Sequence, residues 1–147
     1  MKRAVCFLVF LAACINPLSP SETQRLNKAE SKWDATGIRS YRYEMRTSCF
    51  CPNEILEWAV VEVRNGQIVS ARSSNGTPLT GFDLDSRRTV EQLFDAARAY
   101  RPDWLASIDF QFDDGLGYPV RLVFTSKKTI ADAGFAYEAR NLVSLAD

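Results

Sequence analysis

From Arg39 to Thr47 the chain alternates strictly. Tyr41, Tyr43 and Met45 fall on one side and Arg42, Glu44 and Arg46 on the other, which predicts a half-buried β-strand. Ahead of it, Leu26, Ala29 and Trp33 recur at helical spacing. Ser21 with Gln24 fits a capping box at the start of this helix, and Gly37 is placed to end it. Glu54 to Arg64 reads as a second strand, turning at Asn65-Gly66 into a third, Gln67 to Ser73; Asn-Gly between alternating runs is the strongest short hairpin signal. Ser74 to Arg88, with Gly76, Pro78 and Gly81, reads as a loop. A second helix opens at Thr89 with Gln92 as capping partner, buries Val90, Leu93, Phe94 and Ala97, and stops before Pro102. Ser107 to Asp113 alternates again, with Ile108, Phe110 and Phe112 on one face. Asp114-Gly115-Leu116-Gly117 turns the chain into Pro119 to Thr125, and a polar loop precedes a last strand near Phe135 to Val143.

The order α-β-β-β-α-β-β-β predicts an α+β domain. It is read as two αβββ units whose six strands form one mainly antiparallel sheet with both helices on one face. A content of 46% hydrophobic residues, with nine Phe, five Tyr and three Trp, supplies an ample core. Tyr41, Tyr43 and Trp58 are expected inside it.

The first twenty residues follow a different logic. Lys2 and Arg3 precede an apolar run from Val5 to Ala13, too short to span a bilayer, and Leu11-Ala12-Ala13-Cys14 ends it. That order is a secretory signal. The cysteine after small residues resembles the lipobox of bacterial lipoproteins, which implies cleavage before Cys14 and a diacylglycerol on its sulfur. The expected layout is a signal peptide over 1–13, a lipidated tether over 14–20 and one α+β domain over 21–147. Stable attachment needs more than one acyl chain.

Charge and histidine usage narrow the chemistry. Acidic and basic residues balance at 18 each, and no basic cluster exceeds Arg87-Arg88 or Lys127-Lys128, so a nucleic-acid footprint is not expected. These two pairs read as solvated loop charges. The chain has 0 histidines, which removes Ser-His-Asp and Cys-His pairs and every imidazole metal site. No catalytic residue, metal ligand set or cofactor is assigned.

Once Cys6 is cleaved away and Cys14 lipidated, Cys49 and Cys51 remain, in Ser48-Cys49-Phe50-Cys51-Pro52. Residues two apart on a regular strand have Cα atoms about 6.7 Å apart, at the upper edge of disulfide geometry. A bond between them needs a bend, which Pro52 favours. A local staple, a thiol–disulfide switch, and metal or intermolecular pairing all stay open. Asp109, Asp113, Asp114 and Asp132 lack the spacing of an EF-hand loop, and a calcium site through Asp114 and Asp132 is a minor reading. Trp104 and Tyr118 either anchor a partner or, as such residues do more often, plug the end of the core.

Tyr41-Arg42-Tyr43, Cys49-Phe50-Cys51-Pro52, Val63-Arg64-Asn65-Gly66, Thr89-Val90 through Leu93-Phe94-Asp95, and Gly117-Tyr118-Pro119 resemble an uncharacterised bacterial domain family of secreted proteins and lipoproteins, the domain of unknown function of the six-one-seven-four type. The resemblance implies no known activity. The layout is also similar to the duplicated helix-plus-sheet units of β-lactamase-inhibitor proteins and peptidase-propeptide-like domains, by element order alone.

The expectation for function is a cell-envelope lipoprotein with a non-catalytic binding or structural domain. It would face the periplasm or exterior and meet another envelope protein; if the cell is Gram-negative, Ile15 after Cys14 places it on the outer membrane. The alternatives are an envelope thiol–disulfide protein using Cys49 and Cys51, and a proteinaceous inhibitor of an envelope hydrolase.

Overall fold

The computed structural model describes residues 18–50, 56–99, 104–127 and 134–146; residues 1–13, Cys14, Cys51, Lys128 and Asp132 lie outside them. Helix α1 (Pro20–Ala35) opens slightly earlier than the Ser21–Gln24 pairing predicts. Ser19 is the cap: its Oγ accepts from the Glu22 N–H at 3.2 Å, and Glu22 Oε2 accepts from the Ser19 N–H at 2.8 Å. Pro20 at the first helical position has no N–H to leave unpaired and a φ already suited to the helix, which favours Ser19 over Ser21 as the cap. Leu18 is 8% exposed and belongs to the core, so the end of the expected tether packs with the folded body. Leu26, Ala29 and Trp33 form the predicted buried stripe.

The strands are β1 (Tyr41–Cys49), β2 (Ala59–Arg64), β3 (Gln67–Ser73), β4 (Leu105–Phe112), β5 (Pro119–Ser126) and β6 (Phe135–Ser144). They make one antiparallel sheet in the order β3-β2-β1-β6-β5-β4. Each half is a three-strand meander, and the halves join where the first strand of one pairs with the last strand of the other. At the β2–β3 hairpin Asn65 and Gly66 both take positive φ, 48° and 75°, as the two-residue turn requires. Helix α2 (Gly81–Asp85) is a single turn inside the stretch expected to be loop, and α3 (Val90–Ala99) follows. The predicted capping box of α3 is present, with the Thr89 N–H donating to Gln92 Oε1 at 2.9 Å and the Gln92 N–H to Thr89 Oγ1 at 3.2 Å.

Helices α1 and α3 share one buried cluster with the inward residues of the sheet, among them Tyr41, Tyr43, Met45, Val61, Val63, Phe110, Leu122 and Phe124. Both therefore cover the same sheet face. Glu91, in the first turn of α3, ties three elements together. It accepts from Trp33 Nε1 at 3.2 Å and from the Tyr41 hydroxyl at 3.1 Å, while that hydroxyl accepts from the Val90 N–H at 2.8 Å. Trp33 meets Tyr41 edge-on at 5.4 Å, an arrangement that adds about 0.5–1.5 kcal/mol beyond its buried area.

The β4–β5 turn seats α1. Asp113 Oδ1 accepts from the Gly115 and Leu116 N–H groups at 3.0 and 2.6 Å, and the Asp114 carbonyl accepts from Lys32 Nζ. Gly117 has φ +86°, and a Cβ there would lie 2.6 Å from the Ala29 carbonyl oxygen. The helix thus rests on bare backbone.

Two sequence expectations change, for Arg87 and Trp58, and the open choice at Tyr118 is decided for the plug. Arg87 is 2% exposed rather than solvated. Its guanidinium donates to the carbonyls of Asp83 (3.1 Å), Met45 and Glu57 (both 3.4 Å), drawing the α2 turn against the sheet, and burial pulls its pKa below the usual arginine range. Tyr118 is 4% exposed and edge-on to Trp33, so it plugs the core and offers no surface. Trp58 is not in the core, because the inward side of β2 is Ala59, Val61 and Val63 and Trp58 falls on the opposite face.

Both sheet edges carry caps. On β4, Arg25 Nη2 donates to the Phe110 carbonyl at 2.9 Å, and the Phe110 N–H donates to Asp109 Oδ1 at 3.0 Å. Beside β3 the chain folds back, so that the Leu79 N–H donates to the Ala71 carbonyl and the Ser73 N–H to the Thr77 carbonyl, each at 2.9 Å.

Candidate functional site

The face turned away from the helices is where side chains converge without entering the core. On β1, Glu44 and Arg46 point outward between the buried Tyr43, Met45 and Thr47. On β6, Glu138 and Arg140 do the same, and the register places Glu44 opposite Arg140 and Arg46 opposite Glu138. The two segments share one pattern, Glu-x-Arg. Paired antiparallel, such a pattern is self-complementary, and every carboxylate meets a guanidinium.

Arg140 Nε donates to Glu44 Oε2 at 2.8 Å, Arg46 Nε to Glu138, and Arg121 of β5 approaches Glu138 at 3.4 Å. Asn141 supplies a further donor, its Nδ2 lying 3.0 Å from Glu44 Oε1. Its φ of +56° coincides with a register shift between Arg42 and Glu44, so β6 bulges there and the bulge aims the amide across the strand. The Asn141 and then the Arg140 hydrogen bonds hold the Glu44 carboxyl below the ordinary carboxylate range.

Trp58 lies among these groups. The Arg140 guanidinium sits 3.9 Å from the indole centroid and that of Arg46 4.9 Å. Beside the ring is a recess of about 350 Å³ whose wall includes Glu44, Glu57, Ser74 and Arg140. An aromatic plate beside paired guanidiniums and carboxylates suits hydrogen-bonded recognition. Burial pushes the Tyr41 and Tyr43 phenols up, but these lie on the opposite face of the sheet, in the core.

The residues singled out from sequence are scattered. Cys49 is half-buried at the end of β1 and is disulfide-bonded; its partner lies outside the described residues. Phe50 beside it is 86% exposed. Trp104 is half-buried ahead of β4, with its carbonyl accepting from the Lys127 N–H at 2.8 Å. Asp109 and Asp113 serve backbone N–H groups, and among the described residues no three His, Cys, Asp or Glu gather as around a metal ion. Glu44, Trp58, Arg140 and Asn141 were missed as a group. The repeated Glu-x-Arg spacing on two outward faces was the available signal.

No curated protein and no solved structure matches the chain. A family model does match, over residues 25–144, from the middle of α1 to the end of β6. That span holds the whole sheet, α3 and α1 from Arg25 onward, and the chain therefore belongs to the family of unknown function DUF6174.

Proposed function

We propose that the chain is a cell-envelope lipoprotein, anchored through lipid on Cys14, whose domain is a non-catalytic binding module for another envelope protein. The observation that carries the binding reading is the one-sided sheet. Its inner face is spent on helices, and its outer face carries Trp58 in contact with the guanidiniums of Arg46 and Arg140. Tryptophan and arginine are the residues most often found at the energetic centre of protein interfaces. The signal-like start, Lys2 to Cys14, supports the envelope location and the anchor. No cofactor, metal or nucleic acid enters this account.

In-cell photocrosslinking from position 60, on the same outward side of β2, tests the reading. A discrete crosslinked species that disappears in Trp58→Ala, with folding unchanged, is expected. A face that gives no crosslink, while probes elsewhere do, overturns it. Cys14→Ser tests the anchor independently: the variant is expected in the soluble envelope fraction, and retention on membranes removes the lipoprotein reading.

A second reading rests on Cys49. A disulfide cysteine beside a highly exposed Phe50 is placed as an exchange site would be, and a Cys49–Cys51 pair is the form proposed. Alkylation trapping separates the uses: a bond that resists glutathione is a staple, and a mixed population points to exchange. The proteinaceous-inhibitor alternative has no observation in its favour beyond element order.

A further inference from the structure

We infer that the end of the sheet bearing Phe50 docks on the lipid surface, so that the domain stands on the bilayer by this end with its β2–β3 and β4–β5 turns pointing away. This rests on the lipid-anchor reading above and deepens it.

Topology fixes which groups share that end. Only residues 36–40 separate α1 from β1, so β1 runs back along the helix, and the start of α1 and the end of β1 lie together. Leu18, Cys49 and Phe50 therefore occupy one end. Trp104 and Lys127 join them, because β4 begins and β5 finishes there and the Lys127 N–H donates to the Trp104 carbonyl. Asn65-Gly66 and the Asp113–Gly117 turn, which lies against Ala29 and Trp33 at the other end of α1, mark the far end.

The anchor leaves little freedom. Leu18 is fixed in the core, and the four residues from Cys14 to Leu18 span at most about 14 Å when fully extended. The nine residues of β1 alone measure about 30 Å. The Leu18 end must then stay near the headgroups while the far turns can reach well beyond them.

The exposed apolar groups are distributed to match. Four large hydrophobics stand exposed among the described residues: Phe50 at 86%, Phe82 at 65%, Val69 at 57% and Val143 at 53%. Phe50 is at the anchored end. Phe82 is in α2, which Arg87 ties through Asp83 to the Glu57 carbonyl just ahead of β2, near the same end. The two valines stand on strands, Val143 next to the last residue of β6 at the far end. Phenylalanine side chains sharing one end of the sheet with a tryptophan and a lysine are a composition that settles at a bilayer interface, where apolar rings sit at the acyl boundary and the ammonium stays with anionic headgroups.

The test uses full-length protein purified with its native N-terminal processing and reconstituted into vesicles of phosphatidylethanolamine and phosphatidylglycerol with brominated acyl chains. Phe50→Trp and Val143→Trp are compared after subtracting the emission of the parent chain, and the mass of the Cys14 peptide is measured on each sample. With lipid on Cys14, the tryptophan at position 50 is expected to lose most of its emission and that at 143 almost none. Lipid on Cys14 with equal, weak quenching at both positions overturns the docking and leaves the anchor standing. An unmodified Cys14 overturns the anchor and the docking with it.

Discussion

Gly117→Ala puts a methyl group where α1 meets the β4–β5 turn. Two costs arise. The first is conformational: at φ +86° an L side chain crowds its own backbone, worth about 1–2 kcal/mol. The second is steric. The new Cβ would fall 2.6 Å from the Ala29 carbonyl oxygen, 3.0 Å from Lys32 Cβ and 3.2 Å from Trp33 N, and the first and last are helix backbone that cannot rotate away. Forcing a helix off its seat costs about 1–3 kcal/mol, as other overpacking does. The total is about 2–5 kcal/mol, a large fraction of a typical domain stability. Gly76 supplies the control, since it has the same φ of +86° with nothing within 4 Å of its Cβ. Gly76→Ala should therefore lose only the conformational part, about 1–2 kcal/mol. Urea unfolding followed by circular dichroism reads both variants, and their difference isolates the steric contribution. Equal losses with unchanged m-values would refute the reasoning, because α1 would then not rest on this turn.

Three further outcomes are expected. Glu91→Ala leaves the buried Trp33 indole N–H without its acceptor and strips one partner from the Tyr41 hydroxyl, for a loss of about 2–3 kcal/mol in urea unfolding; a loss below about 0.5 kcal/mol would show that this carboxylate does not pin the helices. Arg87→Lys keeps the charge but not the planar fork that reaches the Asp83, Met45 and Glu57 carbonyls, and should cost about 1–3 kcal/mol and raise hydrogen exchange in α2; unchanged exchange there would refute the tie. Glu44 is held below its ordinary pKa by Asn141 and Arg140, so its contribution is fully present above the unfolded carboxylate value of about 4.3 and is lost as pH falls through the lower folded value. The stability advantage of wild type over Glu44→Gln should accordingly shrink on acidification below about pH 4, and a gap that stays constant with pH would contradict the assigned hydrogen bonds.

What the sequence revealed was mostly local. Asn65-Gly66 and the Thr89–Gln92 box are decided within four residues, and both stand as read. The alternation of β1 is equally local, since one buried face per strand needs no knowledge of the neighbour. The capping error at Ser21 came from weighing the cap without the proline beside it. The pairing of β1 with β6 was out of reach, because it joins residues about a hundred positions apart and no short-range signal encodes the choice. Trp58 and Arg87 failed for a related reason, and Tyr118 stayed open between plug and anchor on the same ground. Each lies at or just beyond the end of an element, where burial depends on what the remote half of the chain brings. The outer-face cluster was half legible: both Glu-x-Arg segments were visible, but only the register of β1 on β6 makes them one site.

The capped edges bear on how the molecule meets its own kind. Phe110 presents a carbonyl and an N–H on the outer side of β4, and Arg25 and Asp109 already hold them. Residues 77–79 hold the corresponding groups of Ala71 and Ser73 beside β3. A sheet with free borders is a template on which further chains can polymerise, and the hazard grows as molecules are concentrated. Here these groups on each border are already engaged within the same chain. Lifting α1 away would free the Phe110 carbonyl that Arg25 holds, which ties the seating of one helix to solubility as well as to shape.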